Sequence, residues 1–163
     1  MKKIIYLAFL AFCITNCEAQ KEPKQFSTIA LQENFVNLDG EKVSLKSILE
    51  TYKGQTVLID VWASWCRDCI VGFPDVKALQ NEFTDIKYVF LSMDKSQKSW
   101  KNGIKKYDIT GEHFFMPKGW DSVFSDFVGL DWVPRYMVID SESNIKLFRA
   151  IKASDPKIKE HLK

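Results

Sequence analysis

Cys66 and Cys69 stand three positions apart, directly after the apolar run Val57–Trp62 and at the head of a segment with helical periodicity. Thiols so placed can close a small disulfide ring and open it again. The free backbone N–H groups and the dipole at a helix start favour a negative sulfur on the first of them. The chemistry this suits is dithiol–disulfide exchange. Cys66 would attack as the thiolate, and Cys69, one turn into the helix, would resolve the mixed disulfide. Lowering a thiol pKa from about 8.5 to about 7 amounts to roughly 2 kcal/mol of preference for the thiolate. Arg67 pushes in that direction and Asp68 opposes it.

A C-x-x-C pair has two other readings. Half a zinc site needs about four ligands in total, and the other strong candidates, His113 and His161, are isolated and far apart. A purely structural bridge would close so short a loop that it would restrict the unfolded chain little. The other two of the four cysteines lie near the N-terminus, Cys13 within an apolar run and Cys17 just after it. The pattern is therefore one redox-capable pair and not the framework of a disulfide-stapled domain.

The elements that must hold the pair can be read from periodicity. Val57–Trp62 is rich in β-formers and suits a strand buried on both faces. Ile70, Phe73, Val76, Leu79 and Phe83 recur every three or four residues and give a helix with one apolar face. Ile86–Met93 reads as a second buried strand, and Trp100, Ile104 and Tyr107 mark the next helix. A short strand at His113–Met116 and a helix around Val123–Val128 follow. Tyr136–Asp140 and Ile145–Arg149 form an antiparallel pair across a Ser-Glu-Ser-Asn turn. Asp155-Pro156 opens a last helix. Upstream, Phe35–Leu38 and Val43–Leu45 flank Asp39-Gly40 as a hairpin, and residues 46–52 make a short helix ending at Gly54. The order predicts an α/β fold, a mixed sheet flanked by helices.

At the N-terminus, Lys2-Lys3 precedes an apolar run from Ile4 to Ile14. Eleven residues are too few for a bilayer, which takes about 20, but they suit the core of a signal peptide. Ile14-Thr15-Asn16-Cys17 resembles a bacterial lipoprotein box, in which Cys17 would be lipidated, although Asn16 departs from the small residue usual there. Cys17-Glu18-Ala19 offers the alternative of cleavage before Gln20. The chain thus divides into a signal segment 1–19, a polar linker 20–30 and one domain 31–163. The expected location is the periplasm or cell envelope, with membrane anchoring through Cys17 in the lipoprotein case. The net charge is +2, and without Lys2 and Lys3 the 23 basic residues become 21 against 21 acidic. That balance gives no electrostatic case for nucleic acid. The Lys-rich 95–106 stretch reads as a solvated helix face.

Val57-Leu-Ile-Asp-Val-Trp-Ala-Ser-Trp-Cys-Arg-Asp-Cys69 resembles the active-site strand and helix of the thioredoxin superfamily. Asp60 stands where that superfamily keeps a buried carboxylate, and Trp62 and Trp65 fall on its tryptophans. Pro74 matches its helix-kinking proline, and Val133-Pro134 its cis-proline. The leading hairpin and the longer 94–130 section resemble the exported TlpA/ResA-type branch, so the likeness covers residues 31–163. The resemblance implies a thioredoxin-like mixed central sheet flanked by helices, with an N-terminal β-hairpin extension. It implies a thiol–disulfide oxidoreductase, more often a reductase, with Cys66, Cys69 and Asp60 catalytic. Asp60 would take the Cys69 proton. Trp65, Val133, Pro134 and Arg135 would meet substrate. Thioredoxin has a lysine on the next strand near its carboxylate. Phe90 stands there in this chain, which implies a more strongly desolvated Asp60.

The implied partners are disulfide-containing exported proteins and a membrane-embedded thiol electron donor, with no metal or organic cofactor. A thiol peroxidase of the same superfamily would need a proline and a threonine where Ile59 and Ala63 stand. A non-catalytic lipoprotein of this fold would not need Cys66, Cys69 and Pro134 together.

Overall fold

The structure, a computed structural model, describes residues 22–163. The signal segment, with Cys13 and Cys17, lies outside the described residues, as does the start of the expected linker.

The apolar run becomes β3 (Val57–Trp62), buried at every position. It is enclosed by parallel β4 (Lys87–Ser92) and antiparallel β6 (Arg135–Ile139). Outside these lie β5 (Glu112–Phe115), parallel to β4, and β7 (Ile145–Ala150), antiparallel to β6. The hairpin of β1 (Asn34–Val36) and β2 (Lys42–Ser44) turns through Gly40 at φ 90°. It joins the sheet where Val36 faces Phe115. The order is β2-β1-β5-β4-β3-β6-β7, a mixed sheet with the hairpin as an extension at one edge.

Alternation along the strands decides which residues face which helix. Trp62 packs edge-on against Phe73 of α3 (Arg67–Glu82), with ring centroids 5.6 Å apart. Asp60, two positions earlier, points to the same face. Trp100 of α4 (Gln97–Tyr107) packs on Phe115, and Tyr107 meets Phe73, so α4 lies beside α3. α6 (Pro156–Leu162), capped by Asp155, is tied to α3 by Lys159 and Glu82. On the other face Phe35 meets Phe124 of α5 (Val123–Phe127).

Serines start most helices. The hydroxyls of Ser27, Ser44, Ser96 and Ser122 each accept a backbone N–H at the head of α1 (Thr28–Leu31), α2 (Leu45–Thr51), α4 and α5 respectively. α3 departs from this rule, because its cap is a sulfur.

One expectation needs correction. The stretch 24–30 is packed and does not act as a linker. Phe26 is buried against Phe124 and Phe127, with centroids 6.3 and 5.5 Å away. Ala30 is fully buried, and the Lys24 carbonyl accepts from Ile145 N–H at 2.8 Å. A single aromatic anchors a segment whose composition is otherwise polar.

Candidate active site

Cys66 is the N-cap of α3. Its Sγ accepts from the Cys69 N–H at 3.1 Å, which uses one of the free donors at the helix start. The two sulfurs are bonded at 2.12 Å, with the Cα atoms 5.3 Å apart, so the pair is in its oxidised form. Cys66 is 4% exposed and Cys69 1%. The expected order is kept, but the first cysteine shows only a narrow edge to solvent.

The loop entering α3 is fixed by residues distant in sequence. Asp94, just beyond β4, accepts from Ser64 Oγ at 2.6 Å, from Ser64 N–H at 3.1 Å and from Ser92 Oγ at 2.8 Å. Tyr107 of α4 donates to the Ser64 carbonyl. The Cys66 N–H closes a turn onto the Ala63 carbonyl at 3.0 Å. Gly103 of α4 lets that helix approach closely: a Cβ there would lie 2.6 Å from Ser64 Cβ and 3.1 Å from the Trp62 ring. Together these contacts hold the short Ala63–Trp65 loop at one height above β3.

On the other side of the dithiol the Val133–Pro134 peptide bond is cis. The Val133 carbonyl oxygen lies 3.4 Å from Cys66 Sγ, a van der Waals approach while the sulfur carries no proton. Arg135 was expected at the docking surface but is fully buried and points inward. It donates to the carbonyls of Val128 at 2.7 Å and Gly129 at 3.3 Å, and to Asp131 at 2.8 Å. A guanidinium carries its donors in a planar fork, and here the two terminal nitrogens gather the strand approach leading to Pro134. Arg149 shares Asp131 from the solvent side.

Asp60 is 2% exposed, and neither of its oxygens has a hydrogen-bond partner among the described residues. Its neighbours across the ladders are Phe90 and Tyr136. With no cation beside it, burial pushes its carboxyl well above the ordinary carboxylate range. It lies beneath α3, whose buried face carries Cys69, Phe73 and Val76. Trp65 is 51% exposed beside the dithiol, and Trp132 is 63% exposed on the rim of a groove of about 570 Å³ that Pro134 also lines.

Sequence reasoning did not find Asp94 or Tyr136, and it misplaced Arg135. The alternation that sets Asp60 on the helix face also sets its cross-strand neighbour there, but only the pairing register names that neighbour as Tyr136.

A mixed sheet, a dithiol capping a helix and a cis-proline against the first sulfur define a class: thioredoxin-superfamily domains with the redox site of a thiol–disulfide oxidoreductase. The chain belongs to the thioredoxin-like family, whose model matches residues 54–145, more than half of its length. It is 36% identical over 77 residues to the thioredoxin-like protein YneN of Bacillus subtilis, covering 45% of this chain and 43% of that protein. It is 27% identical over 136 residues to the thiol-disulfide oxidoreductase ResA of Bacillus thuringiensis subsp. konkukian, covering 80% and 73%. The chain spans about half the length of the first of these curated relatives. Among solved structures, a Bacteroides vulgatus protein assigned to the thiol-disulfide oxidoreductases matches with a TM-score of 0.67 and 32% identity, over 83% of this chain and 86% of that one.

Proposed function

We propose that this chain is an exported thiol–disulfide oxidoreductase that reduces disulfides in other exported proteins, with apocytochromes c as a substrate class. The observation that carries the reading is the Cys66–Cys69 pair at the head of α3, set against the cis Val133–Pro134 bond. In the reduced protein, the Cys66 thiolate attacks a substrate disulfide, forms a mixed disulfide and expels one substrate thiolate. Cys69 gives its proton to Asp60 and attacks Cys66 Sγ. The second substrate thiolate leaves, the Cys66–Cys69 bond forms, and two electrons have passed to the substrate. The departing thiolates take up protons from solvent.

A membrane-embedded dithiol donor would restore the pair by the reverse exchange. Exposed Trp65 and the Val133–Pro134 backbone would seat an extended substrate segment. Lys2-Lys3 and the Ile4–Ile14 run support export, and Cys17 offers a lipid anchor in the cell envelope. No helix among the described residues is long and apolar enough to cross a membrane.

Redox equilibration against glutathione or dithiothreitol tests the direction of flow. A reductase should lie nearer to thioredoxin's potential of about −270 mV than to DsbA's of about −120 mV. A value at the DsbA end would make the protein an oxidant. A Cys69→Ala variant should accumulate mixed disulfides through Cys66 in cell extracts. Trapping through neither cysteine would remove the exchange mechanism.

A further inference from the structure

Tyr136 is an unusual residue to find where it sits. It lies directly across the β3–β6 ladder from Asp60, and opposed residues in an antiparallel pair put their side chains on one face. It is fully buried, and its hydroxyl has no hydrogen-bond partner among the described residues. A buried phenol normally finds one. A Cβ built on Gly72 would come within 3.3 Å of that hydroxyl, so the phenol tip lies against α3 one turn after Cys69. The same ring forms part of the wall of the groove lined by Pro134, Trp132 and Asp75, which opens to solvent. The phenol thus shares a face of the sheet with the sealed carboxyl and also lines the open groove.

We propose that the Tyr136 hydroxyl is a positioning and relay group for Asp60. It would be linked to the carboxyl through a bound water and would pass the proton taken from Cys69 outward to the groove. The inference rests on the reading of Asp60 as the base for Cys69. The step is a proton transfer only: Cys69 S–H loses its proton to Asp60, the hydroxyl accepts a proton on one lone pair as it releases its own toward the groove, and no electrons move. The phenol does not ionise. Burial, with the negative charges of Asp60 and Asp75 added, keeps it protonated. Other groups bear on the same region. Asp68 and Asp75 come from α3, Arg149 from β7, and Asp131 and Lys152 from the flanking loops. Phe90 on the β4 side contributes no charge. A hydrogen bond directed at the carboxylate favours its ionised form, so losing the phenol should make Asp60 harder to ionise.

The test uses the full domain with glutathione bound to Cys66 as a mixed disulfide. Release of glutathione by Cys69 is followed against pH in the wild type, Tyr136→Phe and Asp60→Asn, and the Asp60 carboxyl is titrated by infrared difference spectroscopy. Tyr136→Phe should slow release at neutral pH about tenfold and move the carboxyl titration up by about one pH unit. Phe keeps the ring that packs in the wall, so a packing role alone would leave both profiles in place. If Asp60→Asn slows release while Tyr136→Phe superimposes on the wild type, the relay is wrong and the base assignment stands. If Asp60→Asn has no effect, the base assignment falls and the relay with it. Should Tyr136→Phe not fold, Gly72→Val carries the same question, since its Cβ would already stand 3.3 Å from the hydroxyl and its added methyl groups push the hydroxyl out of line. An unchanged profile in that variant overturns the relay.

Discussion

At the scale of single residues, the site depends on buried polar groups whose costs are measurable. Asp60 has a raised native pKa because it is buried, whereas in the unfolded chain it titrates near 3.8. The folded state therefore holds a proton at pH values where the unfolded state has released it. The contribution of Asp60 to stability is complete below about pH 4 and is lost as pH rises through its native value. Across that window the slope should approach about 1.4 kcal/mol per pH unit for one carboxyl. Urea unfolding of oxidised protein at a series of pH values checks this, and Asp60→Asn should remove that part of the slope. Arg135 makes the opposite kind of contribution. Replacing it with Met should cost about 1.5–3 kcal/mol, the worth of charge-assisted bonds to carbonyls. Amide exchange should then rise through 128–134. The two cysteines were legible because one residue type recurs at a fixed spacing, and Asp60 because it lies at a set distance from them. Arg135 was not, because its partners are backbone carbonyls, which leave no mark on a sequence.

At the scale of elements, local signals carried most of the assignment. The Asp155 cap, the Asp39-Gly40 turn and the β3 run, apolar but for Asp60, each act within a few residues, so the sequence displays them directly. Pairing between elements is a different matter. Nothing local states that the hairpin docks on β5, or that Asp94 reaches 30 residues back to hold Ser64. The approach of α4 to the dithiol loop is of this second kind, and Gly103 makes it possible. Gly103→Ala adds a good helix former, which taken alone would stabilise α4. The clash with Ser64 and Trp62 should win, with a net loss of about 1–3 kcal/mol. A lower Tm together with a changed rate of disulfide exchange would show that the loop, and not the helix alone, has moved.

At the scale of the whole molecule, the domain closes on itself through its first described residues. Phe26 fills a place between Phe124 and Phe127. Phe26→Ala should cost about 3–5 kcal/mol, as for other buried phenylalanines, with the active-site residues left in place. A loss below about 1 kcal/mol in chemical denaturation would show that the segment only rests on the surface. The polar composition of 20–30 concealed this anchor because one aromatic scarcely alters a local average. The Lys24 carbonyl is bonded to Ile145, beside the turn joining β6 to β7, and Gly54 just ahead of β3 bonds to Ser141 in that same turn. Cys66 follows the other end of β3. The six residues of that strand, at about 3.3 Å each, set roughly 20 Å between these two poles. A tether leading away from Lys24 would hold the molecule by its base and present its sulfurs outward, into the space where a passing polypeptide would meet them.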